Sequence, residues 1–191
     1  MKALFLTEGG KDIGFGHITR CISLSQAFEE KDIMSELIVN GEDSILDLLR
    51  DKNYRIFNWL REKNKLFEIV GNADIVIIDS YLAEKSLYDR ISKIHRGRIV
   101  IIDDYNRLEY AKGIVVNPSI YGDRLNYPQK EGVIYLLGKD YIILRKEFRS
   151  ISKNKINKEV KNILVTFGGM GHSDVTHKII NYLKGKFNFN F

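Results

Sequence analysis

Two runs of consecutive apolar residues constrain the fold of this 191-residue chain more than any other feature. They are Ile75-Val76-Ile77-Ile78 and Ile99-Val100-Ile101-Ile102. Continuous runs rich in β-branched residues are typical of strands in parallel sheets, because both faces of such a sheet are covered and neither faces water. The two runs therefore predict a parallel sheet with a layer packed on each side.

Shorter apolar runs alternate with amphipathic segments along the rest of the chain. We predict strands at residues 3–6, 35–39, 55–58, 74–79, 98–103, 113–116 and 132–137, and helices at residues 18–28, 43–49, 62–70 and 83–95. Strands that alternate with helices in this way predict a mostly parallel α/β sheet of six or seven strands.

A polar stretch rich in lysine and asparagine, Lys146 to Glu159, marks a boundary between domains. We expect a first domain at residues 1–150. Residues 151–191 are expected to be a linker and the incomplete start of a second domain: a strand at 162–167, a glycine loop, a helix to about Leu183 and a last strand at 187–191. The second domain is thus expected to be truncated.

The composition restricts the kinds of molecule that this protein is expected to bind. The net charge of +5 is compatible with nucleic acid, but the cations are scattered and no base-reading motif occurs, so a pocket for an anionic small molecule explains the charge equally well. No apolar run is long enough to span a membrane. The single cysteine, Cys21, suits a reducing cytoplasm. We expect a cytoplasmic protein with no membrane insertion, no nucleic-acid partner, no metal site and no cofactor.

The loop Gly14-Phe15-Gly16 lies between the first predicted strand and helix and directly precedes His17. Glycine allows a ligand to approach the backbone closely, and the free N–H groups of a helix start suit an anion such as a phosphate. We expect His17 to be a neutral ring that can take a proton. The alternative is that such loops are common in α/β proteins and that a lone histidine is more often structural than catalytic.

Polar residues follow the predicted strands where each of them ends. Ligands of open parallel sheets bind outside these carboxyl ends. Asp79 is a candidate to orient His17, and Tyr81 is a candidate to hold a sugar hydroxyl. The alternative is that strand-end aspartates cap the next turn, which is at least as good an interpretation of Asp103 and Asp104.

Several local patterns match one family. They are Ile13-Gly14-Phe15-Gly16-His17-Ile18 with Arg20, Ile77-Ile78-Asp79-Ser80-Tyr81, Leu137-Gly138-Lys139-Asp140-Tyr141, Leu144-Arg145-Lys146-Glu147-Phe148 and Gly168-Gly169-Met170. In these the chain resembles the nucleotide-sugar hydrolases of nonulosonic-acid biosynthesis, which release UDP from UDP-2,4-diacetamido-2,4,6-trideoxy-hexose on the route to pseudaminic acid. It is also similar to the spore-coat polysaccharide biosynthesis proteins grouped with them.

The resemblance implies the fold of GT-B glycosyltransferases, in which two Rossmann-like domains enclose the active site. It implies that His17 is the acid/base residue for attack of water on the anomeric carbon, with loss of UDP. The implied substrate-binding residues are Gly14, Gly16, Arg20, Asp79 and Tyr81. The two glycines would shape the loop near the diphosphate, while Gly168 and Gly169 would begin the nucleotide side in the second domain.

Two departures from the family pattern leave alternatives open. Leu6 and Glu8 stand where relatives usually carry an arginine and an aspartate, and the second domain is expected to be incomplete. A separate chain that supplies that domain is therefore an expected partner, beside the UDP-sugar substrate. The alternatives are a UDP-sugar glycosyltransferase of GT-B type and a non-catalytic fragment that binds a sugar or a partner.

Overall fold

The computed structural model describes residues 1–150, 158–160, 162–167 and 173–186. The chain divides into two compact units, Met1–Arg149 and Ser150–Phe191. The first unit contains the sheet that the apolar runs predict.

Seven strands form this sheet, and every neighbouring pair is parallel. They are β1 (Lys2–Gly9), β2 (Met34–Gly41), β3 (Tyr54–Ile56), β4 (Ile75–Asp79), β5 (Arg98–Ile102), β6 (Gly113–Asn117) and β7 (Val133–Leu137). Their order across the sheet is β3-β2-β1-β4-β5-β6-β7. The prediction of a parallel, Rossmann-like α/β fold is therefore confirmed.

Helices connect the consecutive strands from β1 to β5, and they lie on both faces of the sheet. They are α1 (Gly16–Glu29), α2 (Leu46–Leu49), α3 (Lys63–Gly71) and α4 (Lys85–Ile94). A short 3-10 turn, Asp43–Ile45, leads into α2. The connections from β5 to β6 and from β6 to β7 contain no α-helix.

Alternate residues of the central strands belong to two separate hydrophobic cores, one on each face of the sheet. On one face, Val76 and Ile78 of β4 pack in a cluster with Leu87 of α4. On the other face, Ile75 and Ile77 pack in a cluster that contains Ile18 of α1. This double burial is the physical reason for the unbroken apolar sequence of β4, because side chains of successive residues point to opposite faces of a sheet.

The strand order reverses between β1 and β4. The chain leaves β1 through α1 toward β2 on one side, and it returns through α3 to β4 on the other side. Connections that run in opposite directions leave a crevice outside the carboxyl ends of the two strands, which is where open α/β sheets bind ligands. Both the end of β4 and the start of α1 lie at this edge of the sheet.

The second unit contains the helix α5 (Ser173–Lys184). The prediction of a strand at residues 162–167 is wrong: Asn162 belongs to a single β-bridge, and residues 163–167 have no regular secondary structure. Leu164 is 86% exposed. A strand is stable only when its backbone pairs and its apolar face is covered, and the described part of this unit contains no sheet that would do either. The predicted glycine loop at 168–171 and the last strand at 187–191 lie outside the described residues.

Within the described ranges, no helix combines the length and the apolar character that a crossing of the bilayer requires.

Candidate functional site

The glycine loop is closed by its own backbone. The N–H of Gly10 donates to the carbonyl of Gly14 at 3.1 Å, and the N–H of Gly14 donates to the carbonyl of Gly10 at 2.7 Å. Gly14 has a φ of +85°, a conformation that favours glycine. A Cβ atom added at Gly14 or Gly16 would meet no atom of the described chain within 4 Å. The loop is therefore closed by paired backbone hydrogen bonds and leaves space beside the start of α1.

His17 is held by Asp79 at the end of β4. The Nδ1 atom of His17 lies 2.6 Å from Oδ1 of Asp79, and the side chain of His17 is only 8% exposed. Burial alone would raise the pKa of Asp79, but the hydrogen bonds from Arg20 and His17 outweigh it and hold that pKa below its ordinary value. An ionised carboxylate only accepts hydrogen bonds, so Nδ1 carries the hydrogen, and in the neutral form of the ring Nε2 keeps its lone pair.

Arg20 lies one helical turn after His17 and joins two carboxylates. Its Nε and Nη2 atoms each donate to Asp79 at 2.5 Å, and its Nη1 atom donates to the two oxygens of Asp104 at 2.9 and 2.8 Å. Burial opposes the charge of Arg20, but the hydrogen bonds and charges of the two aspartates raise its pKa above the ordinary value. Each guanidinium nitrogen thus donates a hydrogen bond to a carboxylate of the protein. The expectation that Arg20 contacts substrate stays a proposal.

Tyr81 completes the cluster from the loop that follows β4. Its hydroxyl donates to Oδ2 of Asp104 at 2.5 Å. Its ring meets the ring of His17 edge-on, with centroids 4.2 Å apart and planes at 89°. Partial burial and the hydrogen bond to Asp104 raise the pKa of Tyr81, so the hydroxyl remains a neutral donor. The side chain is still 38% exposed and therefore accessible to a ligand.

Glu8 is a residue of this site whose role sequence reasoning missed. It is fully buried at the end of β1 and accepts hydrogen bonds from the Ser80 hydroxyl at 2.6 Å and the Tyr81 backbone N–H at 2.7 Å. Glu8 thereby fixes the backbone that carries Tyr81. The signal in the sequence is a carboxylate directly after a predicted buried strand, which places Glu8 among the strand-end residues near His17 but gives it no partner.

Asp104 is the second such residue. The capping interpretation holds for Asp103, whose carboxylate accepts from the backbone N–H groups of Tyr105 and Arg107. Asp104 instead binds the side chains of Arg20 and Tyr81. A cavity of about 580 Å³ adjoins Arg20 and Asp104; its other lining residues are Tyr105, Pro118, Ser119, Tyr121, Leu125, Ile142 and Ile143.

The structure thus brings His17, Arg20, Asp79 and Tyr81 together, with Gly14 and Gly16 beside them. The remaining two predicted site residues, Gly168 and Gly169, lie outside the described residues. Among the residues that the structure describes, no group of histidine, cysteine and acidic side chains is arranged to hold a metal ion.

The cluster has the chemistry of an oriented base. His17 offers the lone pair of Nε2, while Asp79 fixes the tautomer and stabilises the imidazolium that forms on proton uptake. Two carboxylates face one guanidinium, so the cluster carries about one negative charge when His17 is neutral. Such a site favours positive charge on a bound ligand, and it disfavours a second anion.

Fold and site together define a Rossmann-like α/β protein with a partly buried histidine–aspartate–arginine cluster at the carboxyl edge of its sheet. No family model matches the sequence. An uncharacterized protein of Methanocaldococcus jannaschii is 26% identical over 205 residues, which cover 100% of this chain and 42% of that protein.

The UDP-2,4-diacetamido-2,4,6-trideoxy-beta-L-altropyranose hydrolase of Campylobacter jejuni is 23% identical over 195 residues, which cover 96% of this chain and 66% of that enzyme. The chain therefore spans less than two thirds of the length of either relative. These similarities support a distant relationship at the level of the family.

Proposed function

We propose that the first unit carries the sugar-binding and acid/base part of a nucleotide-sugar hydrolase that releases UDP from a UDP-2,4-diacetamido-trideoxy-hexose. The observation that carries this proposal is the hydrogen bond between Nδ1 of His17 and Asp79. It leaves Nε2 as a base at the crevice where the strand order reverses. The name of the Campylobacter jejuni relative supports the choice of reaction and substrate class.

In the proposed reaction, His17 takes a proton from water at Nε2 while the water oxygen attacks the anomeric carbon. The bond between that carbon and the diphosphate oxygen breaks, and UDP leaves with the bonding electrons. The products are the free sugar and UDP, and the proton passes from His17 to solvent. General-base assistance of this kind typically contributes about 10²–10⁴-fold to the rate.

The charge of the cluster supports placing the sugar, and not the diphosphate, against it. Positive charge develops at the anomeric carbon and on His17 as UDP departs, and the one excess negative charge of the cluster stabilises this development. We place the diphosphate beside Gly14 and Gly16, where the N-cap residue Phe15 makes no side-chain hydrogen bond to the first turn of α1. The nucleotide is assigned to the side of Gly168 and Gly169 in residues 151–191.

This reaction places the protein in the biosynthesis of nonulosonic acids of the pseudaminic type or of a related surface polysaccharide. The class of reaction that follows must consume a free 2,4-diacetamido-trideoxy-hexose. The proposal covers the whole reaction of a longer relative, of which this chain matches a part.

The test is release of UDP from UDP-2,4-diacetamido-2,4,6-trideoxy-hexose by this chain in the absence of an acceptor. We expect His17→Gln to lower kcat by about 10²-fold or more, because glutamine cannot take a proton. The matched control is His177→Gln, an exposed histidine on α5.

Equal turnover by the wild type and His17→Gln would contradict the role of His17. UDP release that requires an added acceptor would favour the glycosyltransferase alternative. Binding of the sugar without UDP release under either condition would favour the non-catalytic alternative.

A further inference from the structure

Two adjacent aspartates after β5 perform different tasks. Asp103 is buried and holds the following turn through the N–H groups of Tyr105 and Arg107 and the hydroxyl of Tyr110. The side chain of Asp104 is 15% exposed and accepts from Arg20 and Tyr81. Asp104 therefore faces the candidate site, although it does not contact His17 directly.

With Asp104 included, the contacts around His17 form a closed ring. His17 donates to Asp79, Asp79 accepts from Arg20, Arg20 donates to Asp104, and Asp104 accepts from Tyr81. The ring of Tyr81 then packs against His17 and closes the circuit. Asp104 is the one member that is bonded both to the partner of Asp79 and to the aromatic neighbour of His17.

We propose that Asp104 is a positioning residue that holds His17 in its reactive geometry by restraining Arg20 and Tyr81 together. This inference rests on the proposed function, in which His17 is the base. Without the carboxylate, Nη1 of Arg20 loses both of its acceptors and the Tyr81 hydroxyl loses its own. Because Tyr81 is partly exposed, its side chain is then able to rotate away from the histidine ring.

The negative charge of Asp104 also bears on the step in which His17 takes up a proton. When His17 takes its proton, the one excess negative charge of the cluster becomes zero. Without Asp104 the same step would take the cluster from neutral to positive, with Nη2 of Arg20 only 3.3 Å from Nδ1 of His17. The other ionisable neighbours do not replace Asp104: burial raises the pKa of the Cys21 thiol, and Glu8 serves Ser80 and the Tyr81 backbone. The loss should therefore affect kcat more than KM.

The kinetic experiment compares Asp104→Asn with Asp103→Asn, the same change at the neighbouring position. For Asp104→Asn we expect kcat to fall by about 10- to 100-fold, a part of the usual general-base contribution, with KM changed by less than about threefold. For Asp103→Asn we expect a lower melting temperature but a kcat within about twofold of the wild type. If Asp104→Asn does not fold, Asp104→Ser is measured in its place.

A spectroscopic experiment separates this inference from the proposed function, because it needs no turnover. In the wild type, nuclear Overhauser contacts are expected between the ring protons of His17 and Tyr81, whose centroids are 4.2 Å apart. They should be lost or weakened in folded Asp104→Asn and kept in Asp103→Asn. Contacts that persist in Asp104→Asn, or a kcat that stays near wild type, would overturn the positioning role. The wild type could instead show no turnover while the contacts between His17 and Tyr81 are lost in Asp104→Asn and kept in Asp103→Asn. That outcome would overturn the proposed function and leave the positioning role standing.

Discussion

At the scale of single residues, Asp79 is the group on which the candidate site depends most. It is fully buried and accepts hydrogen bonds from His17 on one oxygen and from Arg20 on both. A buried carboxylate is stable only when it is paired and hydrogen-bonded, and removal of one partner of such a pair typically costs about 3–5 kcal/mol. The same carboxylate that orients the base is therefore part of the stability of the fold.

The depressed pKa of Asp79 predicts how stability responds to acid. Because the folded-state pKa lies below the unfolded value of about 3.9, Asp79 stabilises the fold above that pH. Its contribution is lost as the pH falls below about 4, toward the folded-state pKa. We expect the free energy of unfolding to decline more steeply over this range in the wild type than in Asp79→Asn.

Urea unfolding at pH 6, 5, 4 and 3 measures this difference. Asp47→Asn is the control, since the side chain of Asp47 is 90% exposed. Parallel pH profiles for the wild type and Asp79→Asn would show that Asp79 does not titrate differently in the two states.

At the scale of elements, the segment from β1 through the glycine loop to α1 determines where His17 lies. Glu8 at the end of β1 fixes the loop of Tyr81, the paired backbones of Gly10 and Gly14 close the turn, and α1 starts one residue before His17. A short, tightly bonded connection of this kind places the histidine against the end of β4 with little freedom to move.

Gly14 and Gly16 offer a matched pair of substitutions in this connection. Gly14 has a φ of +85°, whereas Gly16 has no positive φ, and a Cβ at either position meets no described atom within 4 Å. We expect Gly14→Ala to lower the free energy of unfolding by about 1–2 kcal/mol through backbone strain, and Gly16→Ala to lower it by less than about 0.5 kcal/mol. Urea denaturation of both variants provides the measurement. Equal losses would argue against strain at position 14.

At the scale of the whole molecule, the parallel sheet is the frame that brings distant polar residues to one edge. Its central strands are covered on both faces, while β7 at its border is partly exposed. The strand order β2-β1-β4-β5 sets the ends of β1, β4 and β5 side by side, and these ends carry Glu8, Asp79 and Asp104. The stability of the site therefore depends on packing some distance away from it.

Two isoleucines test this difference between the centre and the border of the sheet. Ile77 of β4 is fully buried, whereas Ile134 of β7 is 60% exposed. We expect Ile77→Ala to lower the free energy of unfolding by about 2–5 kcal/mol, because it removes buried surface and leaves a cavity, and Ile134→Ala by less than about 1 kcal/mol. Denaturant unfolding of the first unit distinguishes the two. Similar losses would mean that another element covers β7.

The sequence by itself determined the sheet and most of its helices, and it made Asp79 a candidate partner of His17. Apolar runs report burial directly, and a glycine loop before a helix is a local signal that a linear pattern contains. The predicted strand at residues 162–167 does not form, because a local apolar pattern does not show whether a neighbouring strand is present to pair with it.

Only the tertiary structure decided which strand-end residue does what. Arg20 meets Asp79 and Asp104, which lie 59 and 84 residues away along the chain. Asp103 and Asp104 are adjacent residues of the same type. They have different hydrogen-bond partners because their side chains point to different sides of the turn. Glu8 is buried because Ser80 and Tyr81 arrive from the neighbouring strand. Hydrogen bonds between such distant residues form only once the strand order places their ends together, so no local pattern contains them.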